Sequence, residues 1–109
     1  MTEKLLEFQQ KENKNITKQI VRKYKPEKII LFGSFAYGKP KENSDIDLLI
    51  IKKTKERPIR RILEIAEIIK SSMGTDILVY NPKEWSEALR EENYFAKEIS
   101  EKGKLVYAK

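Results

Sequence analysis

Two short apolar runs that lie close together along the chain constrain its fold more than any other feature. The run Lys28–Phe32 predicts a buried strand, and a second run from Leu48 to Ile51 predicts another, extending over about residues 46–52. The segment between them is too short for the crossover that parallel neighbours need. The sequence therefore predicts that these two strands form an antiparallel pair.

The residues that join these two strands carry a distinctive combination of functional groups. Gly33 and Ser34 follow the first strand, and Asp45 and Asp47 open the second. Because side chains alternate along a strand, both carboxylates point to the same side. Close carboxylates repel each other unless a cation lies between them, and hard oxygen ligands favour Mg²⁺ or Mn²⁺ over zinc.

The Gly-Ser pair suits the other half of such a site. Gly33 lets a ligand approach the backbone closely, and Ser34 offers a hydroxyl and an amide at the start of a short helix, where anions bind. Phosphoryl and nucleotidyl transfer both use a phosphate-binding site beside a metal site. The alternative is a plain glycine-turn hairpin whose second strand has an acidic edge.

The pattern Gly33-Ser34, ten residues, then Asp45-x-Asp47 resembles the signature of the DNA polymerase β-like nucleotidyltransferases. The phrases Leu31-Phe32-Gly33-Ser34-Phe35-Ala36-x-Gly38 and Ser44-Asp45-Ile46-Asp47-Leu48-Leu49 resemble its minimal nucleotidyltransferase (MNT) branch. The signature covers about a quarter of the chain, and the fold that it implies covers nearly all of it.

The rest of the chain predicts an α+β domain. A helix is expected over residues 3–24, with a break near Asn13 or Asn15 because the stretch around them is wholly polar. Pro58 begins a helix that Gly74 ends as a left-handed cap. The remaining expected elements are a strand Thr75–Tyr80, a helix after Asn81-Pro82, a short helix from Tyr94 to Gly103 and an edge strand Leu105–Tyr107.

This order of elements predicts a small mixed sheet with helices packed mainly on one face. The second and third strands are joined through a helix, which makes them parallel neighbours. The length suits a single nucleotidyltransferase domain over residues 1–109.

A two-metal reaction needs a third carboxylate, and Asp76 at the start of the third strand is the candidate. Glu64 and Glu67, the alternatives, belong to the helix between the strands and are expected to face water. The resemblance implies that Asp45 and Asp47 bind both metal ions. It also implies that Asp76 binds the catalytic metal and helps to deprotonate the attacking hydroxyl.

The resemblance further implies an enzyme that moves AMP, or another NMP, from ATP or another nucleoside triphosphate to a hydroxyl. Two Mg²⁺ ions (or Mn²⁺) would assist, and Gly33 and Ser34 would bind the nucleotide. The implied acceptor is a tyrosine of a HEPN-domain toxin, which makes the chain the antitoxin. One alternative is a non-catalytic antitoxin that neutralises its partner by contact. Another, a nucleic-acid binder, is disfavoured by the intact acids.

One position departs from the MNT pattern. Minimal members commonly carry Arg where this chain has Tyr37. Tyrosine cannot replace a charge-assisted contact to a triphosphate. Either Lys39 or Lys41 compensates, or the nucleotide is bound weakly or in another way.

Composition excludes several other classes of chemistry. The chain has no cysteine and no histidine, so disulfides, zinc sites and histidine-based catalysis are excluded. No apolar run approaches the roughly 20 residues of a membrane span, and the N-terminus lacks a signal peptide's apolar region. We expect a soluble cytoplasmic protein.

The net charge of +6 is unevenly placed, and its densest block is Lys52–Arg61. This block could meet an acidic partner, RNA or a nucleoside triphosphate. A solvated loop and helix start is the favoured interpretation. The block lacks the interleaved aromatic residues that single-stranded nucleic acid would stack on. The same block and the N-terminal helix are the surfaces expected to contact a protein partner.

Overall fold

The computed structural model describes residues 1–109, which form five helices and four strands. In chain order they are α1 Glu3–Tyr24, β1 Lys28–Phe32, α2 Ser34–Tyr37, β2 Ile46–Ile51, α3 Pro58–Ile68, β3 Thr75–Tyr80, α4 Pro82–Arg90, α5 Tyr94–Lys102 and β4 Lys104–Ala108. No helix combines the length and the apolar character needed to cross a bilayer.

The four strands form one mixed sheet in the order β3-β2-β1-β4. Strand β1 is antiparallel to both β2 and β4, whereas β2 and β3 are parallel and are joined through α3. The mixed sheet and the strand directions are therefore as predicted. One consequence matters for function: the C-terminal end of β1 and the N-terminal ends of β2 and β3 lie at the same edge of the sheet.

Each face of the sheet carries its own apolar cluster. On one face, Ile16 and Ile20 of α1 and Ile65 of α3 pack in a twelve-residue cluster with the side chains of Leu48 and Ile50. On the other face, a smaller cluster joins residues of α4 and α5 to the alternate residues of β2. The long helices α1 and α3 thus cover one face, and the two short helices cover part of the other.

Helix α1 is continuous, so the predicted break near Asn13 or Asn15 is wrong. Its polar middle segment forms hydrogen bonds to other parts of the chain instead of breaking the helix. Gln9 is buried and donates from Nε2 to the carbonyl oxygens of Lys41 and Glu42, at 3.2 Å each. Polar side chains that find tertiary partners are compatible with a helix interior.

Helix α3 ends at Ile68, earlier than the predicted stop at Gly74, and Gly74 is not left-handed. The backbone turns at Ile69, which has extended angles. The following segment is tied to α1, because the side-chain amide of Gln19 bonds both the N–H and the carbonyl of Lys70, at 2.7 and 3.0 Å. Tertiary hydrogen bonds, rather than a local cap, therefore fix this end.

Helix α4 begins as predicted. Asn81 is its N-cap, and Asn81 and Glu84 form a reciprocal capping box, with Pro82 at the first helical position. Strand β4 is one residue longer at each end than predicted, and it is the outermost strand of the sheet beside β1.

Candidate active site

The edge where β1 ends and β2 and β3 begin holds the Gly-Ser turn. Gly33 is the N-cap of the four-residue helix α2 and has a φ of 72°, a conformation that favours glycine. A Cβ atom at Gly33 would overlap the carboxylate of Asp47. Two constraints therefore require glycine at position 33: the positive φ of its backbone and the close approach of the Asp47 carboxylate. Ser34, the first residue of α2, is half-buried beside it.

Three carboxylates come to this edge from two strands. Asp47 lies within β2, where its register partners are Phe32 of β1 and Asp76 of β3. Because β2 and β3 are parallel and in register, Asp47 and Asp76 project from the same face of the sheet. Asp45 lies just before β2, and its carboxylate sits against Gly74, where a side chain would overlap it.

The three carboxylates are close enough for the charges of two of them to affect the pKa of the third. Burial raises the pKa of Asp47 from its ordinary value to about 6, and the charges of Asp76 and then Asp45 contribute to the rise. Asp45 and Asp76 themselves are exposed. The edge therefore combines one half-buried carboxylate that is difficult to ionise with two that face solvent.

The donor chemistry of this edge fits a hard divalent cation, because all three groups are carboxylates. A cation would relieve the repulsion that raises the pKa of Asp47. However, no set of three or more acidic residues converges tightly enough to form a complete metal site. Asp45, Asp47 and Asp76 would hold the ion together with ligands from outside the chain, such as water or phosphate oxygens.

The rejected alternatives for the third acid lie elsewhere. Glu64 and Glu67 are on α3, which packs on the face opposite to Asp47 and Asp76. Glu64 faces Arg60 one helical turn away, at 3.7 Å. The structure thus brings together all five predicted site residues, and it leaves both glutamates outside. The metal-binding and catalytic roles of the three aspartates remain predictions, and so does nucleotide binding by Gly33 and Ser34.

The position that departs from the MNT pattern lies at the end of α2. Tyr37 is 39% exposed, and Lys39 and Lys41 on the following loop are exposed too. A hydrogen bond from the backbone N–H of Lys41 to Ser44 Oγ, at 2.7 Å, ties this loop together. Cationic side chains are therefore available near the turn, although none occupies position 37.

Two residues that contribute to this edge were missed in the sequence. Gln9 holds the loop that leads to Asp45 through its bonds to the carbonyl oxygens of Lys41 and Glu42. Gly74 gives Asp45 the room that it needs. The polar stretch of α1 gave no signal for Gln9, and Gly74 resembled a helix cap.

The basic block Lys52–Arg61 is partly structural. Arg61 is buried, donates to Glu84 Oε1 at 2.6 Å and to the carbonyl of Val79 at 3.2 Å, and so links α3 to α4. This hydrogen bond lowers the pKa of Glu84. Lys52 donates to the carbonyl of Tyr24 at 2.7 Å. Only the middle of the block is a solvated loop.

A mixed sheet whose Gly-Ser turn faces an Asp-x-Asp strand and a third aspartate is the arrangement that the nucleotidyltransferase signature in the sequence predicts. The sequence matches the family described as polymerase beta, nucleotidyltransferase over residues 14–109. The chain therefore belongs to that family, and nucleotidyl transfer is the general function that the family assigns to it.

A solved structure shows the same fold. A proposed nucleotidyltransferase from Sulfolobus solfataricus superposes with a TM-score of 0.69 at 19% sequence identity, over 100% of this chain and 91% of that one. At this identity the likeness supports the fold alone. No curated protein matches the chain significantly.

Proposed function

We propose that the chain is a Mg²⁺-dependent nucleotidyltransferase that moves AMP, or another NMP, from a nucleoside triphosphate to a hydroxyl group. The observation that carries the proposal is the environment of Asp47. Its carboxylate abuts Gly33 of the Gly-Ser turn, lies in register with Asp76, and has a raised pKa because burial and two neighbouring acids oppose its charge. A site that gathers negative charge beside a phosphate-binding turn is built to receive cations.

The three aspartates and the Gly-Ser turn have different roles in the proposed reaction. Asp45, Asp47 and Asp76 would hold Mg²⁺, which when bound neutralises charge on the phosphates and on the attacking oxygen. The Ser34 hydroxyl donates a hydrogen bond to a phosphate oxygen, and Gly33 leaves the space for that approach. The acceptor oxygen bonds to the α-phosphorus as the bond to pyrophosphate breaks. Asp76 accepts the proton of the acceptor hydroxyl.

We further propose the MNT branch, with a tyrosine of a HEPN-domain toxin as acceptor and an antitoxin role in the cytoplasm. The openness of the site supports a macromolecular acceptor. Asp45 and Asp76 are both exposed, because α4 and α5 pack mainly on the residues of β2 and β3 that follow the acids. Helix α5 reaches this edge only through Phe95, whose ring packs against Phe32 of β1. A folded partner can therefore bring its tyrosine to the acids.

One observation favours the second candidate, a non-catalytic antitoxin that acts by contact. The position that commonly carries Arg in minimal members carries Tyr37, which is exposed and offers no charge to a triphosphate. In that case the same partner would bind and remain unmodified.

The test is transfer of label to the partner. The chain is co-expressed with the product of the adjacent gene, and the purified pair is incubated with Mg²⁺ and ATP labelled either on the α- or on the γ-phosphate. We expect label from the α-phosphate only, pyrophosphate release, and a mass increase of one AMP on a partner tyrosine. Asp47→Asn should abolish all three signals, whereas Glu67→Gln, the same change of acid to amide on the opposite face, should not.

The outcomes separate the candidates. Binding without a mass increase would support the contact-only antitoxin. Adenylylation of a small molecule by the isolated chain, with no binding of the partner, would overturn the protein acceptor but not the transfer reaction. Full activity of Asp47→Asn would overturn the metal-assisted mechanism.

A further inference from the structure

A groove runs along the face of the sheet opposite to Asp47 and Asp76. Helix α1 forms one wall and the edge strand β4 forms the other, and the groove encloses about 1040 Å³. Its floor is apolar and includes Leu31, Phe35 and Tyr107. Leu31 and Phe35 belong to the larger core cluster and are nearly buried, and Tyr107 packs against that cluster. The apolar surface that a ligand can reach lies mainly on the more exposed lining residues, which are Leu6, Val21, Val106 and Tyr107.

The walls of this groove carry charge of one sign. Lys14, Lys18 and Arg22 form a stripe at intervals of four along α1, and Lys104 stands on β4 across from them. No aspartate or glutamate lines the groove. The groove thus combines an apolar floor with cationic walls.

The shape of β4 disfavours an added strand as the occupant. The pairing of β1 with β4 shifts register between Ile29 and Ile30, which leaves Val106 as an extra residue on β4. A bulge of this kind bends an edge strand and discourages further pairing, and lysines at an edge have the same effect. Val106 lines the groove, so the bulge adds apolar surface where a helix can lie.

We propose that this groove binds an amphipathic α-helix of a protein partner, with acidic residues flanking its apolar stripe. The apolar stripe would cover the accessible lining residues Val21, Val106 and Tyr107, and the acidic flanks would face the lysines of α1 and β4. Helix-in-groove recognition works in this way, with anchors at helical spacing and complementary charge at the rim. The proposal does not depend on the transfer reaction, since the groove lies on the other face of the sheet.

Other occupants fit the groove less well. RNA would need exposed aromatic faces for stacking, but Phe35 is 9% exposed and Tyr107 is only partly exposed. A second copy related by a two-fold axis would set one cationic stripe against another, which like-charge repulsion opposes. An acidic partner helix satisfies both the floor and the walls.

The experiment uses the full chain and designed helical peptides of about four turns. One fluorescent peptide has a leucine stripe flanked by glutamates, and a second has the same stripe flanked by lysines. Binding is followed by anisotropy at two salt concentrations. We expect saturable binding of the acidic peptide that weakens with salt, and far weaker binding of the basic one.

Matched double variants on α1 locate the binding. Lys14→Glu with Lys18→Glu reverses two charges in the groove and should weaken binding by about tenfold. Lys11→Glu with Lys23→Glu makes the same change of charge at exposed positions of α1 outside the groove, and should leave affinity within about twofold. Circular dichroism and melting curves establish that each variant is folded.

Several results would overturn the proposal. These are no binding of the acidic peptide, equal binding of the two peptides, or equal weakening by both double variants. Displacement of the peptide by short single-stranded RNA with the same sensitivity to Lys14 and Lys18 would assign the groove to nucleic acid. A dimer in sedimentation that is lost in the groove variant would assign it to a second copy.

Discussion

Replacing Asp47 with Asn should make the metal-free protein more stable at neutral pH while it removes activity. Burial and the charges of Asp76 and Asp45 raise the pKa of Asp47 from 3.8 to about 6 in the folded state. The folded protein therefore binds this proton more tightly than the unfolded chain. Stability from this group is present at low pH and is lost as the pH rises between about 4 and 6.

The magnitude follows from the size of the shift. About two pH units correspond to roughly 3 kcal/mol in the limit of full burial. Asp47 is only half-buried, so solvent screening reduces the expected gain from Asp47→Asn to about 1 kcal/mol at pH 7. For a domain of this size that gain raises the melting temperature by about 4–8 °C.

Urea unfolding with a chelator present, at several pH values from 4 to 8, measures this effect. The difference between Asp47→Asn and the wild type should be about 1 kcal/mol at pH 7 and should be several-fold smaller near pH 4, where the acid is protonated in the folded state and partly protonated in the unfolded state. Glu67→Gln, the same change of acid to amide on the opposite face, serves as the control. Added Mg²⁺ should stabilise the wild type and not Asp47→Asn.

Two results would refute this reasoning. If Asp47→Asn lost stability at pH 7, the carboxylate would be forming favourable contacts rather than opposing folding. If its gain were the same at pH 4 and pH 7, the effect would not come from ionisation of Asp47.

Three further predictions concern the turn and the α3–α4 link. Ser34→Ala should weaken ATP binding by about 1–3 kcal/mol in calorimetry, because a hydroxyl bonded to a charged oxygen is lost; unchanged affinity would exclude that bond. Tyr37→Arg should strengthen ATP binding in the same assay, and no change would show that another cation already fills the role. Glu84→Gln should cost about 1–2 kcal/mol at pH 7 in urea unfolding, since buried Arg61 loses its charged partner. Because the folded-state pKa of Glu84 is lowered, this cost should shrink as the pH falls below about 4; a cost independent of pH would argue against the ion pair.

The sequence by itself determined the elements whose signals are local. Strand β1 was predicted at its observed bounds, and so was β3, because apolar runs between turn signals define strands directly. Asn81 and Pro82 marked the start of α4, since capping depends on neighbouring residues alone. The placement of Asp45, Asp47 and Asp76 at one edge also followed from the sequence, because short and helical connections fix strand direction.

These three acids are the only aspartates of the chain, and its other acidic residues are all glutamates. The short aspartate side chain suits a site in which backbone positions fix the carboxylates, because few rotatable bonds remain. The sequence thus places all of its aspartates in the candidate site. In the structure, Gly33 and Gly74 lie so close to the carboxylates of Asp47 and Asp45 that a Cβ atom at either glycine would overlap them.

Only the tertiary structure decided the features that depend on residues far apart in the chain. Helix α1 stays whole because Gln9 and Gln19 bond segments more than thirty residues away, and α3 ends early for the same reason. Arg61 looked like part of a solvated basic block until its partner on α4 was known. The groove between α1 and β4 also needs both ends of the chain. Local patterns carry propensity and spacing, whereas burial and charge pairing exist only once distant residues have been brought together.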